Sequence, residues 1–179
     1  MTGEVIILTG PPAVGKTTVA KLLAGDADGP TVHLATDLFY QAIRTGFVPP
    51  YLPEAQRQNE VVVDTIVAAT ATYARGGYDV VVDGIIGPWF LPPFRAMAEH
   101  HQLNLTYVVL RPDVDTTLSR AQGRADNELK DTDAITGLHH AFAHLGDLDS
   151  HAIDTAGINA TTTATQVRHA IESGRYRLT

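Results

Sequence analysis

Gly10-Pro11-Pro12-Ala13-Val14-Gly15-Lys16-Thr17 follows directly on the apolar run Val5-Ile6-Ile7-Leu8 and spells G-x-x-x-x-G-K-S/T. The spacing has a mechanical meaning. Glycines let the backbone curl so that successive N–H groups point inward at an anion, while the helix that follows offers its positive end to the same charge. Lys16 is then placed to bridge the β- and γ-phosphates of a nucleoside triphosphate, and the Thr17 hydroxyl to hold Mg²⁺. The expected nucleotide-binding residues are therefore Gly10, Pro12, Ala13, Val14, Gly15, Lys16, Thr17 and Thr18. An ordinary glycine-rich turn would read similarly, but here strand and helix fall on the sides the motif requires.

The 179 residues suffice for one well-buried core and are too few for two comfortable domains, so a single domain over residues 1–179 is expected. A hydrophobic content of 44% and a charged content of 18% fit a soluble globular chain. With no cysteine, disulfides and thiolate metal sites are excluded, which fits a reducing cytoplasm. Met1-Thr2-Gly3-Glu4 shows no basic leader, and no apolar stretch approaches the ~20 residues of a membrane span. Thirteen Lys and Arg against 20 Asp and Glu leave a formal charge of -7, which disfavours a nucleic-acid partner.

Outward from the motif, helical and strand patterns alternate. Helices are expected over 15–24, 37–44 (capped by Thr36), 54–75, 92–101, 112–120, 132–145 and 163–173; strands over 31–35, 79–83, 103–110 and 152–154. Locally Val61-Val62-Val63 favours strand, but the length of its segment and the spacing Val62, Ile66, Ala69, Tyr73 favour helix. The alternation predicts an α/β fold with a doubly wound, parallel, five-stranded sheet and ligands at the strand C-termini.

Two carboxylates stand where such a cleft opens. Asp37 lies just past the second strand and is the candidate general base, able to orient an acceptor hydroxyl and take its proton; the alternative is an acid matched to a helix dipole. Asp83 closes the apolar strand Asp79-Val80-Val81-Val82-Asp83 and is a candidate for the Mg²⁺ shell, for the acceptor, or for capping the Gly84 turn. Arg111, Arg120, Arg124 and Lys130 bracket a polar stretch, which reads as a lid over about 120–135 whose arginines meet the nucleotide, or as a solvated helix face. Acceptor-side candidates are Asp37, Tyr40, Arg44, Arg57, Asp83 and Trp89; for the aromatics, core packing is the alternative. His140 and His144 lack the neighbouring Glu of a zinc helix, so zinc is not expected.

The chain resembles the small-molecule P-loop kinases, the group of gluconate kinase, shikimate kinase, chloramphenicol phosphotransferase and, more distantly, zeta toxins. Three stretches carry the resemblance besides the phosphate loop. Leu118-Ser119-Arg120-Ala121-Gln122-Gly123-Arg124 looks like the lid entry of gluconate kinases, which implies Arg120 on adenine and Arg124 on phosphate, and gives Arg124 a catalytic place beside Asp37 and Lys16. Val32-His33-Leu34-Ala35-Thr36-Asp37 is similar to the strand and acid that supply the base in chloramphenicol phosphotransferase. Ile153-Asp154-Thr155 resembles the strand before the adenine loop, implying Thr155 at the nucleotide. Ala125-Asp126-Asn127 replaces the Gly-His-Phe of gluconate kinases, and the glycine triplet of shikimate kinases is missing, so neither gluconate nor shikimate is the expected acceptor.

The resulting expectation is an ATP- and Mg²⁺-dependent cytoplasmic kinase, monomeric or homodimeric. It would move the γ-phosphoryl group to a hydroxyl of a small molecule, with antibiotics and other natural products among the candidates. Two alternatives stay open: a nucleotide-gated ATPase acting as a regulatory module, and a kinase of nucleotide sugars or RNA ends.

Overall fold

Strand β1 (Val5–Thr9) is buried along its whole length and runs between β3 (Asp79–Asp83) and β4 (Leu105–Leu110), with β2 (Thr31–Ala35) beyond β3 and β5 (Ala152–Ile153) beyond β4. All four pairings are parallel. The computed structural model describes residues 2–123 and 131–178. Arg124 and Lys130 of the expected lid lie outside the described residues.

The two-residue period of a strand sends alternate side chains to opposite faces, and each face is apolar because helices cover both. On one face Val5, Ile7, Val80, Val82, Leu105, Tyr107 and Val109 pack against helices α3 (Gln56–Arg75) and α4 (Leu91–His101). On the other, Ile6, Leu8, Val81, Val108 and Leu110 pack against α1 (Lys16–Gly25) and α7 (Ala160–Glu172). Helix α2 (Thr36–Gln41) follows β2 without a loop, and α5 (Val114–Gln122) and α6 (Thr132–Ala141) lie between β4 and β5 in the chain. This is the expected doubly wound sheet of five parallel strands.

Several boundaries differ from those expected, each for a local reason. Thr36 opens α2 rather than capping it, and its buried side chain packs instead against the Gly84 turn. The 61–63 valines are helical, but the buried face of α3 runs through Val62, Val63, Ile66, Thr70, Ala71 and Ala74, leaving Tyr73 exposed against the ring of Tyr78. Helix α6 stops at Ala141 because the Arg111 guanidinium donates to the carbonyls of Phe142 (2.8 Å) and Ala143 (3.1 Å), satisfying the acceptors a helix end leaves open. Helix α7 starts early because the Asn159 side chain accepts from Thr162 N at 2.8 Å.

The outer edge of β4 is shared. β5 covers Val109 and Leu110. The C-terminal segment runs antiparallel along the first half, with Tyr107 N donating to Tyr176 O (2.9 Å) and Leu178 N to Leu105 O (2.8 Å).

Candidate active site

The loop between β1 and α1 is bent by three positive backbone angles, at Gly10 (φ 141°), Ala13 (φ 62°) and Gly15 (φ 92°). At Gly10 no other residue fits, since a Cβ would stand 2.1 Å from the carbonyl oxygen of Leu110. Ala13 has a side chain and adopts the left-handed region nonetheless, at a cost of about 1–2 kcal/mol that the surrounding structure must offset. Such alternation turns successive amides toward one point, as an anion-binding nest requires. Helix α1 starts there with Gly15 as N-cap, without a side-chain cap hydrogen bond and without an acidic residue in its first turn. Among the described residues no side chain claims the first N–H groups of this positive end, which suits it to a ligand anion.

Lys16 is 9% exposed, and its ammonium donates to the carbonyls of Gly10 (3.1 Å) and Pro11 (2.6 Å). Burial of that charge is tolerable because the loop itself supplies the acceptors. Thr17 and Thr18 follow in the first turn of α1, both exposed.

Asp83 is 3% exposed at the C-terminal end of β3, in register with Leu8 of β1 and Ala35 of β2. Its Oδ2 lies 3.3 Å from Nε2 of His33, a residue of β2. The chain leaving Asp83 is held against the phosphate-loop strand: Gly84 N donates to Leu8 O (3.3 Å) and Ile86 N to the Thr9 hydroxyl (2.8 Å). From the opposite face the Tyr107 hydroxyl donates to Ile86 O at 2.9 Å, and burial pushes that phenol's pKa up. Gly84 faces Thr36 so closely that a Cβ would stand 2.1 Å from its hydroxyl. The turn into α2, which carries Asp37, and the turn after Asp83 are thus locked together.

Asp37 is exposed in the first turn of α2. Tyr40 of the same helix is half-buried, and burial together with the neighbouring Asp37 charge raises its pKa to about 12. Trp89 sits in the short turn Pro88–Phe90, 47% exposed, its ring over Gly87 and edge-on to Phe142 at 5.6 Å. Arg44 and Arg57 stand on the surface; the Arg57 side chain is 86% exposed, and its ion-pair partner is Glu60 at 3.9 Å. Asp37, Tyr40 and Asp83 thus occupy one side of the phosphate loop.

Arg120 reaches across to the loop, its guanidinium donating to Thr155 O (3.3 Å) and, at the limit of a hydrogen bond, to Val14 O (3.5 Å). The Thr155 hydroxyl is buried and without a hydrogen-bond partner among the described residues. Arg111, grouped with Arg120 on sequence grounds, instead ties down the end of α6 and pairs with Asp149 at 2.9 Å. His139 and His151 bond the carbonyls of Pro112 and Tyr107, both at 2.9 Å, and His144 lies past the end of the helix that carries His140.

Residues 5–144, more than half of the chain, match the model of a family described as an AAA domain. The chain belongs to this family of P-loop domains. The match takes in the phosphate loop, Asp37, Asp83 and Arg120 of this AAA domain and stops short of Thr155. No curated protein matches the sequence. Solved structures that share the fold include the tunicamycin resistance protein of Deinococcus radiodurans, 20% identical over 94% of this chain and 95% of that one, with a TM-score of 0.66. A gluconokinase from Sinorhizobium meliloti 1021 is 16% identical over 96% and 93%, with a TM-score of 0.69. The APS kinase of Mycobacterium tuberculosis in complex with AMPPNP and APS is 16% identical over 96% and 98%, at 0.65. At these identities the likeness is one of fold: a P-loop kinase-type sheet with its flanking helices.

His33 is the site residue that the motif reading passes over. The signal was an imidazole inside the otherwise apolar strand Val32-His33-Leu34-Ala35, and only the β2–β3 register brings it beside Asp83.

Proposed function

We propose that the protein is an ATP-dependent phosphotransferase that moves the γ-phosphoryl group to a hydroxyl of a small molecule. One observation carries the reading: an α1 N-terminus with no side-chain cap and no acid in its first turn above a glycine cradle, with Asp83 as the last residue of β3 beside β1 and Asp37 just past the end of β2 beyond it. A triphosphate fits that cradle by charge and by its donor set. In this reading the loop amides and Lys16 bind the phosphates, and Arg120 with Thr155 holds the nucleoside end. Thr17 and Asp83 are hard oxygen ligands suited to Mg²⁺, which supplies charge neutralisation at the phosphates. Asp37 accepts the proton of the acceptor hydroxyl as its oxygen bonds to the γ-phosphorus and the bond to the bridging oxygen of the nucleoside diphosphate breaks. Tyr40 and Trp89 offer the acceptor apolar and aromatic surface, favouring a hydroxylated, partly apolar molecule such as an antibiotic or another natural product.

The test is a transfer screen with ATP labelled in its γ-phosphate against panels of hydroxylated metabolites and antibiotics. The expected result is Mg²⁺-dependent labelling of one chemical class. Nucleotide binding with slow hydrolysis that no hydroxyl compound stimulates would overturn it and favour a nucleotide-gated regulatory module.

A further inference from the structure

We propose that His33 is a positioning residue for the Asp83 carboxylate, holding it by one oxygen so that the aspartate serves the metal shell of the bound nucleotide. The inference rests on the reading of Asp83 given above and adds a residue to it. In the parallel pairing of β2 with β3, His33 lies opposite Val81 and Ala35 opposite Asp83, so His33 and Asp83 share a face one step apart along the strands. That face is the one α1 covers, through Ile6, Leu8, Val81, Val108 and Leu110. Among these apolar neighbours an imidazole packs no better than a valine or leucine would, and burying its polar ring is unfavourable unless a nitrogen is hydrogen-bonded.

The bond it makes is the one to Asp83, Nε2 to Oδ2 at 3.3 Å, with the imidazole side chain 17% exposed and the carboxylate 3% exposed. A carboxylate buried that deeply requires a hydrogen-bond partner. Among the described residues the partner is an imidazole and not a guanidinium or ammonium. Lys or Arg at the same place would quench the carboxylate with a permanent opposite charge. A neutral imidazole, by contrast, can orient the carboxylate as an N–H donor without cancelling its charge. With Oδ2 held, Oδ1 is the oxygen left for the metal shell, and loss of such an outer partner typically costs about 10–100-fold in metal affinity.

The experiment compares His33→Gln with His33→Asn. Glutamine carries its amide nitrogen at about the reach of Nε2, whereas asparagine falls one bond short, at the reach of Nδ1. Both are neutral, polar and small enough to fold. Calorimetric titration with AMPPNP at a series of Mg²⁺ concentrations, and again in EDTA, separates metal-dependent from metal-free nucleotide affinity. We expect His33→Asn to raise the Mg²⁺ concentration for half-maximal effect by about tenfold or more while the EDTA affinity stays unchanged, with His33→Gln within about threefold of the wild type. His33→Leu should match His33→Asn. Equal behaviour of Gln and Asn, whether both intact or both impaired, would overturn the positioning role. Asp83→Asn serves as the control: if it abolishes the Mg²⁺ effect while His33→Asn does not, only the inference about His33 fails. If wild-type AMPPNP affinity is indifferent to Mg²⁺, the metal reading of Asp83 fails with it.

Discussion

The two ends of the proposed site are built differently. On the nucleotide side, Gly10, Ala13, Val14 and Lys16 are buried, backbone angles are tightly constrained, and Arg120 ties the loop to the Thr155 segment. On the acceptor side, Asp37, Arg44, Arg57 and Trp89 are exposed, Tyr40 is half-buried, and α2 is a helix of only six residues. A triphosphate is one shape, and its cradle can be set once. An acceptor pocket must differ from enzyme to enzyme, so its residues sit on short elements and turns that carry little of the core. Mutations should therefore separate the two sides cleanly.

The largest effect is expected from Asp37→Asn, which keeps the size of the side chain and removes the base. Phosphoryl transfer should fall by about 10²–10⁴-fold with nucleotide affinity unchanged, as measured by single-turnover transfer beside calorimetry. Near-normal turnover would move the base elsewhere. Lys16→Ala comes next, at about 10²–10³-fold in turnover, because one preorganised donor to the transferring group is removed. A loss below about tenfold would contradict its role, and a comparable change in acceptor KM would blur the division between the two sides.

Trp89→Ala should act on one side only. Its ring lies over Gly87 and contacts Phe142 by an edge, so truncation removes exposed apolar surface from the proposed acceptor side; acceptor KM should rise several-fold while KM for ATP stays the same. The smallest expected effect is a titration. Tyr40 ionises near 12 because of burial first and the Asp37 charge second, so Asp37→Asn should lower its pKa by a fraction of a unit when followed by tyrosinate absorbance. A folded-state value above the ordinary 10 means that this group's contribution to stability is complete below pH 10 and fades as pH rises toward 12. No shift on mutation would place Asp37 farther from Tyr40 than the site requires.

The same contrast decides how much could be read from the residues alone. The phosphate loop is local, eight consecutive residues whose types follow from one task, and the structure carries it unchanged. β3 was legible to the residue, since an apolar run buried on both faces has sharp ends where polar residues resume, and the half-buried edge strand β2 was legible from its short segment between the Gly29-Pro30 turn and the helix that follows. What was illegible depended on contacts between distant segments. Arg111 reads as a lid cation until the carbonyls of Phe142 and Ala143, some thirty positions on, are seen to claim it. The orientation of α3 depends on which side of the helix meets the sheet, and that moved Tyr73 from the core to the rim. His33 becomes interesting only through strand register, which no spacing within β2 reveals.

The antiparallel segment along β4 has a consequence for handling the protein. β5 is two residues long and leaves the first half of β4 to Tyr176–Leu178 for cover. Without that segment, Leu105 O and Tyr107 N would become an open template for strand addition, so removing or crowding residues 176–178 invites self-association through sheet edges.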